Sequence, residues 1–165
     1  NWPESKGADR YRRGLYTFFQ RTSPYPMLMT FDSPDSNECA VLRMTSNTPL
    51  QALTLWNDPV FVEAAQAIGS RVVRELPGTA SDELTRQRVR RACELCLARS
   101  PDSHEEAALV ALYQQQLTLC SKDAKVATTL LGSQTPTAET SAAELAAWIS
   151  VGRAIVNLDE FITRE

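Results

Sequence analysis

From Phe61 onward, apolar residues return every three or four positions, the spacing of a helix with one buried face. Phe61, Ala65, Ile68, Val72 and Leu76 form a stripe that ends at Pro77-Gly78, where geometry and a missing N–H stop the helix. Leu84 to Ala98 predicts the next, with Val89, Ala92, Cys93, Cys96 and Leu97 on one side and Arg88, Arg91 and Glu94 on the other. Ser103-His104-Glu105-Glu106 has the form of a capping box and opens a helix lined by Leu109, Leu112, Tyr113, Gln116 and Cys120. A shorter segment from Asp123 to Leu131 continues after a bend, and Gly132 to Thr140 reads as a mobile loop. Ser141-Ala142-Ala143-Glu144 repeats the capping box before a final helix with Leu145, Trp148, Ile149, Gly152 and Val156 inward. Gly152 and the neighbouring alanines allow that helix a close approach to a partner.

Upstream, Thr48-Pro49 and Asp58-Pro59 are two helix starts ten residues apart, each with a capping side chain before a proline whose missing N–H costs nothing there. Gln51 is placed to reach back to the Thr48 backbone. No residue between Arg43 and Asp58 is charged, and Leu50, Leu53, Leu55 and Trp56 spread around the short helix. That distribution predicts burial on most sides and a central place in the fold. Tyr11, Leu15, Phe18 and Phe19 suggest a short amphipathic helix, with Arg12, Arg13 and Arg21 on its other faces. Three prolines between Thr22 and Asn37 predict an extended arm over 22–37, pinned to the core through Met27, Leu28, Met29 and Phe31. Cys39 to Met44 has strand composition but no partner strand. The expected fold is all-α, an irregular multi-helix bundle of about five main helices with a proline-rich N-terminal arm.

With 165 residues, 43% of them hydrophobic, the chain has enough material for one core without metals or disulfides. It is therefore read as a single helical domain over 1–165, with 1–9 a linker remnant. A start at Asn1 without methionine suggests a piece of a larger protein. The net charge of −3 gives no reason to expect nucleic acid as a partner. Arg86, Arg88, Arg90 and Arg91 crowd one helix, but Asp82, Glu83 and Glu94 are interspersed, as on a solvated face. No apolar run approaches the roughly 20 residues of a membrane span, so membrane insertion is not expected.

Candidate chemistry is sparse. Cys93-Glu94-Leu95-Cys96 has C-x-x-C spacing, yet both sulfurs fall in an apolar stripe, no second such pair exists, and Leu97 follows where haem attachment requires histidine. They read as small hydrophobes. Cys39 and Cys120 are isolated, and in an oxidising compartment they would be free to pair with each other or with the helical cysteines. His104, the one histidine, opens a helix beside Glu105 and Glu106 and is expected at the surface. Asp32, Asp35 and Glu38 stand close enough in sequence to offer oxygen ligands to a hard cation such as calcium. The competing reading makes FDSPDSNE a run of turns with Asp32 and Asp35 as local acceptors. Arg43 fits an ion pair with one of these acids, and Asn57 and Asp58 are caps first and ligands second. No cofactor and no metal site is assigned.

The blocks RRGLYTFFQRTSPYPMLMTFDSPDSNECAVLRMTSNTPLQALTLWNDPVFVEAA, LARSPDSHEEAAL and AELAAWISVGRAIVNLDEFITRE resemble a planctomycete-specific domain of unknown function. That domain ends large secreted proteins that carry a planctomycete cytochrome c-like domain. The matching positions are Arg13, Asp32, Cys39, Arg43, Asn47, Pro49, Gln51, Asn57, Asp58 and Phe61. The resemblance implies a C-terminal piece of an exported multidomain bacterial protein, with the upstream domain of the same polypeptide as its partner. It carries no established activity. A non-catalytic interaction or structural module is thus the first reading. The alternatives are half of an inter-domain hydrolase-type site using Asp32, Asp35, Glu38 and Arg43, and a calcium-dependent binding module using the same acids.

Overall fold

A computed structural model describes residues 5–16, 18–20, 22–34, 39–42 and 44–163. Arg21, Asp35, Glu38 and Arg43 lie outside the described residues, as do 1–4 of the expected linker and 35–37 of the expected arm. The described residues are all-α, with no strand and one isolated antiparallel bridge, Gln20 to Ser23. None of their helices is long and apolar enough to cross a membrane. Contacts divide the chain into two compact units, Asn1–Ser46 and Asn47–Glu165.

In the first unit, the expected amphipathic helix is replaced by two 3-10 turns, Gly7–Tyr11 and Gly14–Tyr16. Gly14 interrupts the helical run, and Lys6 makes no capping side-chain bond before the first turn. A helix this short also needs a packing face to persist, and no described residue of this unit is buried. The arm is likewise less extended than its prolines suggest, because Pro26–Thr30 forms a helix, α1. Its prolines bracket that helix instead of breaking it: Pro26 sits in the first turn and Pro34 follows the end. Ser33 N–H donates to Leu28 O at 2.9 Å and Asp32 N–H to Met29 O at 3.4 Å. With Asp32 left-handed at φ 57, these bonds form a Schellman ending.

The second unit contains α2 (Pro49–Asn57), α3 (Pro59–Glu75), α4 (Asp82–Leu97), α5 (Ser103–Lys122), α6 (Ala124–Leu131), α7 (Ala142–Val156) and α8 (Asp159–Ile162). Both proline starts behave as predicted. Thr48 and Gln51 form a reciprocal capping box, and Asp58 Oδ1 accepts from Val60 N–H at 2.9 Å. The position of α2 does not match its prediction, since only Gln51 and Leu55 are buried and Leu50, Leu53 and Trp56 are exposed. The central helix is α7. It buries ten residues, including Leu145, Trp148, Ile149 and Val156, and its small residues Ala146, Ala147 and Gly152 admit neighbours on several sides. Helices α3, α5 and α6 pack directly against it, and α4 bridges α3 and α5. Absence of charge marked both α2 and the stretch 145–152, but only α7 has the length and small residues for all-round packing.

The α5 cap is offset by one residue from the sequence reading. Asp102 is the N-cap, accepting from His104 and Glu105 N–H at 2.7 and 2.8 Å, while Glu105 reaches back to Asp102 N–H at 2.9 Å. A carboxylate that accepts two N–H groups satisfies more of the helix end than the Ser103 hydroxyl would. At α7 the Ser141 hydroxyl accepts from Glu144 N–H at 3.1 Å, but Glu144 does not complete the box because its carboxylate is directed inward. The 132–140 loop is tied back by Ser70 Oγ, which donates to Gln134 Oε1 at 2.8 Å, and by the buried Thr140.

Candidate functional site

Of the acids and arginine predicted to act together, only Asp32 is described. Its Oδ2 accepts from Ser46 N–H at 2.7 Å, and the Ser46 hydroxyl lies 2.8 Å from both carboxylate oxygens. Asp32 therefore joins the ends of the 32–46 loop. Asn57 and Asp58 belong to the other unit and are engaged at helix ends: Asn57 Nδ2 donates to Leu53 O at 2.9 Å, and Asp58 caps α3. Among the described residues, no three His, Cys, Asp or Glu side chains group closely enough to hold a metal ion.

The cysteines are free thiols, with Cys39 exposed and Cys93, Cys96 and Cys120 buried. Burial pushes the Cys93 and Cys96 thiols up to about 11, and in Cys93 the neighbouring Cys96 adds to the effect. Nucleophilic and metal-binding chemistry needs the thiolate, so this pair serves as packing, as its helical stripe predicted. His104 is exposed in the first turn of α5.

Sequence periodicity assigned Arg88 to the outer face of α4 with Arg91 and Glu94. The structure buries it, leaving 1% of its side chain exposed. Arg88 Nη1 meets Glu144 Oε1 at 2.6 Å, its Nε donates to Leu76 O at 3.0 Å, and its guanidinium carbon lies 5.8 Å from the centre of the Trp148 ring. Trp148 in turn stacks on Tyr113 at 4.5 Å with 28° between the rings. Burial, and next the negative charge of Glu144, push the Tyr113 phenol up to about 12. Glu144 turns away from the backbone of Ser141 because it is the partner of this buried cation.

Other arginines knit the helices at the surface. Arg91 and then Arg71 pull Glu75 down to about 2, and Arg99, assisted by the Asp102 backbone, does the same to Glu105. Arg99 also holds Glu160 of α8 at 2.6 Å. Because both carboxylates are depressed below the ordinary range near 4.5, their contribution is fully present above that range and is lost as pH falls toward about 2. Melting temperature is expected to drop across this window. In Glu75→Gln/Glu105→Gln the profile is expected to be flatter; an unchanged slope would reject the assignment.

The largest apolar exposure on the second unit runs from α2 into the start of α3, with Leu50, Leu53, Trp56 and Val60 at 59%, 60%, 42% and 47%. Trp56 is held in place from α7. The Arg153 guanidinium carbon stands 4.5 Å from its ring centre, and Arg153 Nη2 donates to Trp56 O at 2.6 Å. A fixed tryptophan with an arginine on its face and leucines beside it has the composition of a contact surface. The sequence reading took Leu50, Leu53 and Trp56 for core because it had no sign of which face α7 would cover.

The helices of the described residues define an all-α arrangement. The family described as PSD1, protein of unknown function (DUF1553), matches residues 1–113, and the chain belongs to that family. The match ends within α5, before the central helix α7. Neither curated proteins nor solved structures provide a match.

Proposed function

We propose that this chain is a non-catalytic interaction module whose contact surface is the apolar face Leu50, Leu53, Trp56 and Val60. The observation that carries this reading is the exposure of that face together with the fixing of Trp56 by Arg153. Burying such side chains is worth about 25 cal/mol per Å2 of apolar surface removed from water, and a locked Trp–Arg pair loses little further freedom on contact. Its partner in this proposal is an upstream domain of the same polypeptide in an exported protein, as the resemblance to C-terminal domains of large secreted proteins implies. The hydrolase half-site and the calcium site both depend on Asp32, whose two oxygens are engaged by Ser46; no observation favours either over the contact surface.

Hydrogen exchange tests the reading by comparing this chain alone with a longer protein that includes the upstream domain. Amides of 49–62 are expected to gain protection in the longer protein, and Leu50→Ser/Leu53→Ser to remove that gain without lowering the melting temperature of the chain alone. Equal protection of 49–62 in both proteins would sink the proposal.

A further inference from the structure

On the second unit, Arg71, Arg88, Arg90, Arg91 and Arg99 each hold a carboxylate. Arg153 holds none among the described residues: its polar contact is the 2.6 Å bond from Nη2 to Trp56 O, and its guanidinium carbon lies 4.5 Å from the Trp56 ring centre. Arg74 and Arg86 also lack an acid among the described residues, but both are exposed, where water solvates the charge. Arg153 is half-buried and stands against a member of the apolar face Leu50, Leu53, Trp56 and Val60. Helix α2, which supplies most of that face, has no charged residue of its own.

A guanidinium carries five N–H donors in a planar fork, and Trp56 O takes one of those on Arg153. Any surface that covers the face also removes water from Arg153. A charge stripped of water is costly unless it is paired, so the occupant has to bring the missing acceptor. A carboxylate matches the fork with two parallel bonds and cancels the charge. We infer, on the basis of the contact surface proposed above, that the partner is an apolar surface carrying one Asp or Glu side chain that pairs with Arg153. The leucines and Trp56 supply contact area, while the ion pair sets orientation and rejects basic or uniformly apolar surfaces.

The test is hydrogen exchange at 49–62 in the chain alone and in the longer protein that includes the upstream domain, for the parent, Arg153→Gln and Arg153→Glu. The two substitutions are matched in size and both release Trp56, so a role confined to holding Trp56 affects them alike. Referring each variant in the longer protein to the same variant alone removes local effects on α7. The gain in protection is expected to fall by about tenfold or more in Arg153→Gln, at the low end for loss of one partner from a desolvated pair. It is expected to fall severalfold further in Arg153→Glu, where two carboxylates face each other. A gain in Arg153→Gln equal to that of the parent, or one in Arg153→Glu equal to or above that of Arg153→Gln, overturns the paired carboxylate while a protected parent keeps the contact surface. A parent that gains no protection overturns the contact surface itself, and the ion pair with it.

Discussion

Arg88→Ala is expected to destabilise the chain by about 3–5 kcal/mol, the usual cost of removing one partner from a buried ion pair. The substitution leaves the Glu144 carboxylate beneath the surface without its cation, removes the donor to Leu76 O, and opens space beside Trp148. Urea unfolding should show a lower midpoint with an unchanged slope, the pattern of a stability loss in a two-state transition. A second signature separates the stranded charge from simple loss of packing. The variant is expected to recover stability as pH falls, because protonation neutralises the unpaired carboxylate. Replacing both partners with apolar residues, Arg88→Met/Glu144→Leu, is expected to cost less than Arg88→Ala, since well-packed hydrophobic replacements of buried pairs are often close to neutral. A loss below about 1 kcal/mol in Arg88→Ala, within the range of exposed pairs, would show that the pair is effectively solvated.

The same residue shows where sequence reading stops. Arg88 lies one turn before Ala92 and one turn after Thr85, both buried, so its angular position already belonged to the core stripe of α4. Its charge outweighed its angle in the reading, and its partner Glu144 is 56 positions away, beyond any local pattern. Local signals performed well: the proline starts of α2 and α3, the Thr48–Gln51 box and the inward residues of α7 follow from nearest-neighbour chemistry. Questions of which face meets which helix did not follow, as Leu50 and Leu53 demonstrate. In the first unit, aromatic spacing mimicked a helix where the chain forms two 3-10 turns.

Gly69→Ala tests the close approach of α3 to α7. On intrinsic propensity alone, alanine in a helix interior should stabilise by about 1 kcal/mol. At Gly69 the added Cβ would stand 2.8 Å from Ile149 N, 2.9 Å from Ile149 Cγ1 and 3.0 Å from Ile149 Cα. Two of those three atoms are backbone of the central helix, so no rotamer change relieves the overlap and α3 must move away from α7. Such overpacking costs about 1–3 kcal/mol, and the movement would also loosen Ala65 and Val72 against the core. The net effect is expected to be destabilising, at roughly 2–4 °C of melting temperature per kcal/mol for a chain of this size. Gly152 supplies the internal comparison. Its Cβ would meet Ala65 O at 3.1 Å and Ile68 side-chain atoms at 3.5 Å, a contact that a few tenths of an ångström would relieve. Gly152→Ala is therefore expected to lower the melting temperature less than Gly69→Ala. If Gly69→Ala instead raised it, helix propensity would have outweighed the overlap, and α3 and α7 would have to pack less rigidly than their spacing indicates.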